Sequence, residues 1–240
     1  MLVAGLIVGA CGSSNDARRT KDTSSSTVST TSTTSNEVAF PYQPMYPFAN
    51  LAEVATWQQH AASDADQAWH LDAKATALSF ARFLGYTELD QAGATTGNGQ
   101  DAHVEIGGNN SDGRFSAAAI VHLVRYGRGD HVPWEVVGTD DTDFSITTPG
   151  YGAAVTSPMP AGGRITGVDE SISITVRGLH AQEALGGSCC VPAGGEGTPW
   201  STTVSFAPPV EGVIVVSAAT GGHVRSVERF TVTAANAPTR

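Results

Sequence analysis

Cys189 and Cys190 stand side by side in the loop GGSCCVPAGGEG, and an adjacent thiol pair can serve as a redox switch or a soft-metal site. Neighbouring Cα atoms are about 3.8 Å apart, below the usual disulfide separation of roughly 4.4–6.8 Å, so a bond between them is strained. The remaining cysteine, Cys11, lies far away in the chain, and nothing completes a cysteine-rich zinc site. The pair therefore reads as two thiols or a structural vicinal disulfide, the latter being the form an oxidising location favours.

Carboxylates and imidazoles gather in two stretches. Asp64, Asp66, His70 and Asp72 fall in SDADQAWHLD, whose spacing matches no oxygen-ligand loop and reads as a solvated loop with a helix cap. Asp140, Asp141 and Asp143 in GTDDTDF read as an acidic turn. His122, among Ile120, Val124 and Tyr126, reads as a half-buried histidine with one hydrogen bond rather than a base. The seven histidines show no paired spacing, and no metal site is expected. Signatures of nucleophilic, phosphate-binding and dinucleotide-binding enzymes are all missing. The expectation is a protein without catalytic residues or cofactor, an envelope hydrolase working through His122 or His70 ranking last.

The elements that would carry these groups can be read from periodicity. Asn50 and Glu53 resemble a capping box ahead of Leu51, Val54, Trp57 and Ala61 at helical spacing. Asp72 opens a second helix with the stripe Ala73, Ala77, Phe80 and Leu84, which Gly85 stops. DAHVEIG alternates Ala102, Val104 and Ile106 with Asp101, His103 and Glu105; SAAAIVHLVRYG and PWEVVGTDDTDFSI supply two more strands. This predicts an α+β domain over 38–146, two helices on a small antiparallel sheet. An ion pair between Glu135 and Arg125 is expected if the register permits. Trp57, Phe80, His122 and Trp134 are the candidate lining of a pocket, which a small-molecule (lipid or sugar) carrier would use. Past Thr147, short alternating runs (SISITVRG, PWSTTVSF, EGVIVVSAA, SVERFTVTA) separated by Gly and Pro predict an all-β sandwich over 147–240. Its motifs, from ITTPGYGAAVTSPMP through ISITVRG to ERFTVTA, resemble the immunoglobulin-like domain of bacterial spore germination. That resemblance implies a non-catalytic extracytoplasmic module with an immunoglobulin-like fold.

At the other end, Met1–Ala10 is uncharged and apolar, too short for a spanning helix of about 20 residues but right for the hydrophobic part of a secretory signal. Val8-Gly9-Ala10-Cys11 resembles the lipobox of bacterial lipoproteins, which implies cleavage before Cys11 (leaving 1–10 as signal peptide) and a diacylglycerol on its sulfur. Residues 11–37 are Ser/Thr-rich without apolar periodicity, a composition that cannot offset the entropy of ordering and is expected to serve as a disordered tether. Only Lys21 and Lys74 are lysines, while Ala, Gly and Thr abound, a bias usual in GC-rich genomes, which together with the lipobox resemblance suggests an actinobacterial source. A net charge of −10 argues against nucleic acid as a partner and against electrostatic adhesion to anionic lipid. The expected partners are the membrane, through the lipid anchor, and a cell-envelope protein or glycan. If the anchor is Cys11, Cys11→Ser abolishes acyl labelling and moves the full chain from the membrane to the soluble fraction; unchanged fractionation would remove the anchor.

Overall fold

Strand β9 (Val213–Thr220) is apolar at nearly every position and buried throughout, and β10 (Arg229–Asn236) is buried along its interior. Strands of this kind need cover on both faces. Val215, Ala219, Phe230, Val232 and Ala234 enter one core, while Ile214, Val216, Ala218 and Ala235 enter another. The hairpin they form is the wall between the two cores.

The computed structural model describes residues 40–240 except Ala62, Asp141 and 222–224; the signal, Cys11 and the tether lie outside the described residues. Strands β1 (Gln91–Asn98), β2 (Asp101–Asn109), β3 (Phe115–Arg125) and β4 (Trp134–Thr139) make a four-stranded antiparallel meander. The second sheet has six strands. β5 (Phe144–Thr148), β7 (Met159–Gly178), β9, β10 and β6 (Ala153–Ala154) follow one another across it, and β8 (Gly186–Phe206) pairs with β7. Helix α1 (Leu51–His60) is capped by the Asn50 side chain, which accepts from the Ala52 and Glu53 amides. A 3₁₀ segment (Ala65–Leu71) precedes α2 (Ala73–Phe83), whose cap Asp72 accepts from the Ala75 amide.

One face of the meander presents Ala102, Val104, Ile106, Val121 and Leu123 to Phe80 and Leu84 of the α2 region and to the β9–β10 hairpin. Polar ties cross the same junction. Tyr86 Oη donates to Ser217 Oγ at 3.1 Å, the Val232 amide donates to Thr139 Oγ1 at 3.1 Å, and Glu88 Oε1 accepts from Val227 N at 2.6 Å.

These arrangements correct the expected fold class. Strands take 50% of the chain and helices 15%, so the protein is mainly β and not a helix-plus-sheet domain followed by an immunoglobulin-like sandwich. The physical reason is the doubly apolar β9–β10 hairpin. It covers the meander that two short helices cannot cover alone, and the expected boundary at 146/147 falls inside one compact unit. PWEVVGTDDTDFSI is two strands, β4 and β5, in different sheets.

Along the outer edge of β4, the lead-in Phe40–Phe48 is fastened by Glu135. The Met45 amide donates to the Val136 carbonyl at 3.1 Å, and the Val136 amide donates to the Tyr46 carbonyl at 2.7 Å. The Tyr46 and Phe48 amides then donate to the two Glu135 carboxylate oxygens at 2.7 and 3.2 Å. Register places Val124 opposite Glu135 and Trp134 opposite Arg125, so the expected Glu135–Arg125 ion pair does not form. The Arg125 guanidinium instead lies 4.1 Å from the centroid of Trp134. Glu135 is completely buried, and burial pushes its carboxyl well above the usual range, against the lowering effect of the Phe48, Tyr46 and Met45 amides. Glu135→Ala leaves two amides without an acceptor at about 1–3 kcal/mol each. The expected outcome is a loss of about 2–6 kcal/mol in denaturant unfolding, with Tyr46 and Phe48 amide exchange accelerated first; slow exchange at both would refute the clamp.

Candidate functional site

Two neighbouring features on the lead-in side of the molecule could do chemistry or bind. The first lies on β2 and β3. Alternation along β2 sends Ala102 and Val104 to the core and Asp101 and His103 to the opposite face. His103 pairs directly with His122 of β3. Their rings stack at 4.4 Å between centroids, only 9° from parallel. Asp101 reaches both, with Oδ1 3.0 Å from His103 Nε2 and Oδ2 2.9 Å from His122 Nε2. Behind His103, Nδ1 lies 2.8 and 3.0 Å from the two oxygens of Asp140, which follows β4 and continues its ladder by donating its amide to the Ile120 carbonyl. Tyr42 of the lead-in meets the His122 ring edge-on at 5.4 Å.

All four polar side chains keep a fifth to a third of their surface in water. Burial alone would raise the Asp101 carboxyl, but the His122 hydrogen bond and the two imidazole charges hold it below the ordinary aspartate value. Asp101, His103 and His122 offer ligand atoms within 4.8 Å of one another, the one such group among the described residues.

The second feature is a groove of about 720 Å³ beside α1. Phe48, Trp57 and Ala61 supply apolar lining; Asn50, Glu53, His60, Gln67 and His180 supply polar groups around it. His70, thrown inward by the 3₁₀ turn between the caps Asp64 and Asp72, packs against Trp57 at 4.9 Å and Phe48 at 5.1 Å. Its Nε2 meets Gln67 Oε1 at 3.1 Å, and its Nδ1 is enclosed without a hydrogen-bond partner among the described residues. His180 Nε2 approaches Glu53 Oε2 at 3.5 Å across the groove.

The structure separates the four residues expected to line one pocket. Trp57 lines this groove, Phe80 is sealed in the shared core, and His122 belongs to the Asp101 cluster. Trp134 is buried in the shared core with Arg125 over its ring. The space between α2 and the meander, where a carried ligand would sit, is filled by Phe80 and Leu84. Asp64 and Asp72 are spent on capping, as loop-and-cap residues. Asp141 is outside the described residues. Cys189 and Cys190 are joined as a disulfide and line a separate hollow of about 380 Å³ with Tyr86 and Ser173. Spacing along the chain conceals the His103–His122 pair, 19 residues apart, which only the hairpin register brings together. The chain matches no protein-family model, no curated protein and no solved structure.

Burial lowers the His70 pKa to about 4. Between the free-histidine value near 6.5 and about 4, the unfolded chain binds a proton there that the folded chain does not. Stability contributed by neutral His70 is therefore complete above pH 6.5 and is lost as pH falls toward 4. Melting temperatures over this range should fall more steeply for the wild type than for His70→Phe; parallel curves would show that His70 is protonated in the fold.

Proposed function

We propose that this chain is a lipid-anchored, non-catalytic binding module of the bacterial cell envelope, held outside the cytoplasm through Cys11 and using the α1 groove to hold an envelope glycan. The single observation that carries the binding role is the groove itself, apolar along Phe48, Trp57 and Ala61 with amide and imidazole groups at its margin. A sugar ring presents C–H surface and hydroxyls together and needs both kinds of lining, with few charges to desolvate. The lipobox-like VGAC and the Ser/Thr-rich segment after it support the location. The Cys189–Cys190 disulfide is in keeping with an oxidising compartment.

A carrier of lipid or sugar is the weaker reading, because transport of a small ligand favours enclosure and the groove lies open beside an exposed helix face. Ala52 and Thr56 are exposed on α1 and line the groove, so an indole at either position occupies it without entering the core. The full chain in detergent, titrated with soluble peptidoglycan fragments, should bind them. Ala52→Trp and Thr56→Trp should each weaken binding at least about tenfold with melting unchanged, equivalent to about 1.4 kcal/mol. Failure of the wild type to retain any envelope glycan, or equal binding by both variants, removes the proposal.

A further inference from the structure

We propose that Asp101, His103 and His122 bind one divalent first-row transition ion of the Zn²⁺ or Cu²⁺ class, with Asp140 orienting His103 from behind. This site is independent of the α1 groove and of any glycan.

The arrangement around His103 carries the inference. Carboxylate oxygens face both of its ring nitrogens, Asp140 at 2.8 Å from Nδ1 and Asp101 at 3.0 Å from Nε2. A neutral imidazole has one N–H and can satisfy one of them. With that hydrogen on Nδ1 toward Asp140, the Nε2 lone pair confronts the Asp101 carboxylate, and only a proton or a metal ion between them relieves the opposition. A histidine whose far nitrogen donates to a carboxylate is the common supporting arrangement of metal-ligating imidazoles, since it fixes the tautomer and raises the basicity of the ligating nitrogen.

The other donors complete the set. Asp101 Oδ2 lies 2.9 Å from His122 Nε2, so both imidazoles aim their Nε2 atoms at one carboxylate. In a tetrahedral site with bonds of about 2.0–2.1 Å, ligand atoms are about 3.3 Å apart. The Asp101 carboxylate makes both short approaches through different oxygens, Oδ1 at 3.0 Å from His103 Nε2 and Oδ2 at 2.9 Å from His122 Nε2, and one ligand atom from each of the three residues lies within 4.8 Å of the others. Small side-chain rotations therefore suffice to admit an ion, and any Nε2 proton departs to solvent as it enters. The ligands sit on paired strands, and Tyr42 packs against the His122 ring, so little ordering is required on binding.

Charge and hardness select the ion. Two carboxylates and two neutral imidazoles sum to −2, which a divalent cation cancels. Two nitrogen ligands favour zinc, copper or nickel over Ca²⁺ and Mg²⁺, which seek six or more oxygens. Partial exposure, 19% for the His122 side chain and 29% for His103, leaves an entry path and room for water as a further ligand.

The test uses the metal-stripped full chain. Titration with ZnCl₂ should show one tight equivalent, and CoCl₂ should give visible ligand-field absorption. His103→Ala and His122→Ala should each weaken Zn²⁺ binding at least about tenfold, and Asp140→Asn by about 10–100-fold with stoichiometry retained. His131→Ala, exposed and outside both the cluster and the groove, should leave affinity unchanged, and millimolar Ca²⁺ should not compete. Should the variants fail to fold, imidazole NMR of the wild type decides, since the His103 and His122 signals must shift on adding Zn²⁺. Absence of binding at 100 µM Zn²⁺ or Cu²⁺, unshifted imidazole signals, undiminished affinity in both folded histidine variants, or displacement by Ca²⁺ would overturn the site.

Discussion

Glu135 is a completely buried carboxyl near the start of β4, on the face turned away from the shared core. Its side chain works as a backbone substitute: two oxygens accept the amides of Tyr46 and Phe48, which leave the strand ladder just after the Tyr46–Val136 bridge. An isolated buried charge would be costly, and the raised pKa reflects that cost, so this interaction is tolerable only because the amides fit it. Both candidate sites hang from the segment it holds. Tyr42 lies on His122, and Phe48 lines the α1 groove. Gln43 adds a second fastening, donating its amide to Tyr151 Oη at 2.8 Å and accepting from the Asn236 side chain at 3.3 Å.

Local signals along the chain translated well into local structure. Asn50 and Asp72 are helix caps, Gly85 takes a positive φ of 90° just past α2, and Ala102, Val104 and Ile106 face the core. Long-range grouping did not follow from them. Strand β1, QAGATTGN, is largely exposed and offers no apolar alternation to read. The run EGVIVVSAA reads as a strand, but nothing in it says that its two faces serve different cores. That fact decides between two independent domains and one body built on a common wall, because apolar periodicity reports burial and not the partner responsible for it.

The histidine cluster turns on a single extra residue. Near the turn, Asn109 pairs with Phe115 and Gly107 with Ala117. Continued without interruption, this register would set His103 opposite Val121 and turn His122 toward the core with Ala102. A bulge between Ile106 and Gly107 leaves Ala118 over, and from there Ile106 pairs with Ala119 and His103 with His122. One residue of slip reverses every side chain in a strand. Nothing in the alternation of either strand marks the bulge, so spacing alone gives no reason to join two histidines 19 residues apart. Adding a bulge also increases local twist and re-aims side chains, a frequent device beside functional groups.

A second irregularity completes the cluster. Between His122 and Leu123 the register of β3 on β4 shifts again, so that Leu123 faces Val136 while His122 faces Gly138. Glycine there leaves open space where a side chain would stand, beside the imidazole that must turn toward Asp101. Two residues further on, Asp140 returns to the same face opposite Ile120 and meets His103 from the far side. Three strands thus converge four polar groups on one solvent-touched patch while their alternate residues fill a common core. Such convergence costs sheet regularity at two points and places like-charged carboxylates around one imidazole. A fold with nothing to bind there would gain by placing Thr or Val at these positions, which suit a half-wet strand face without opposing carboxylates.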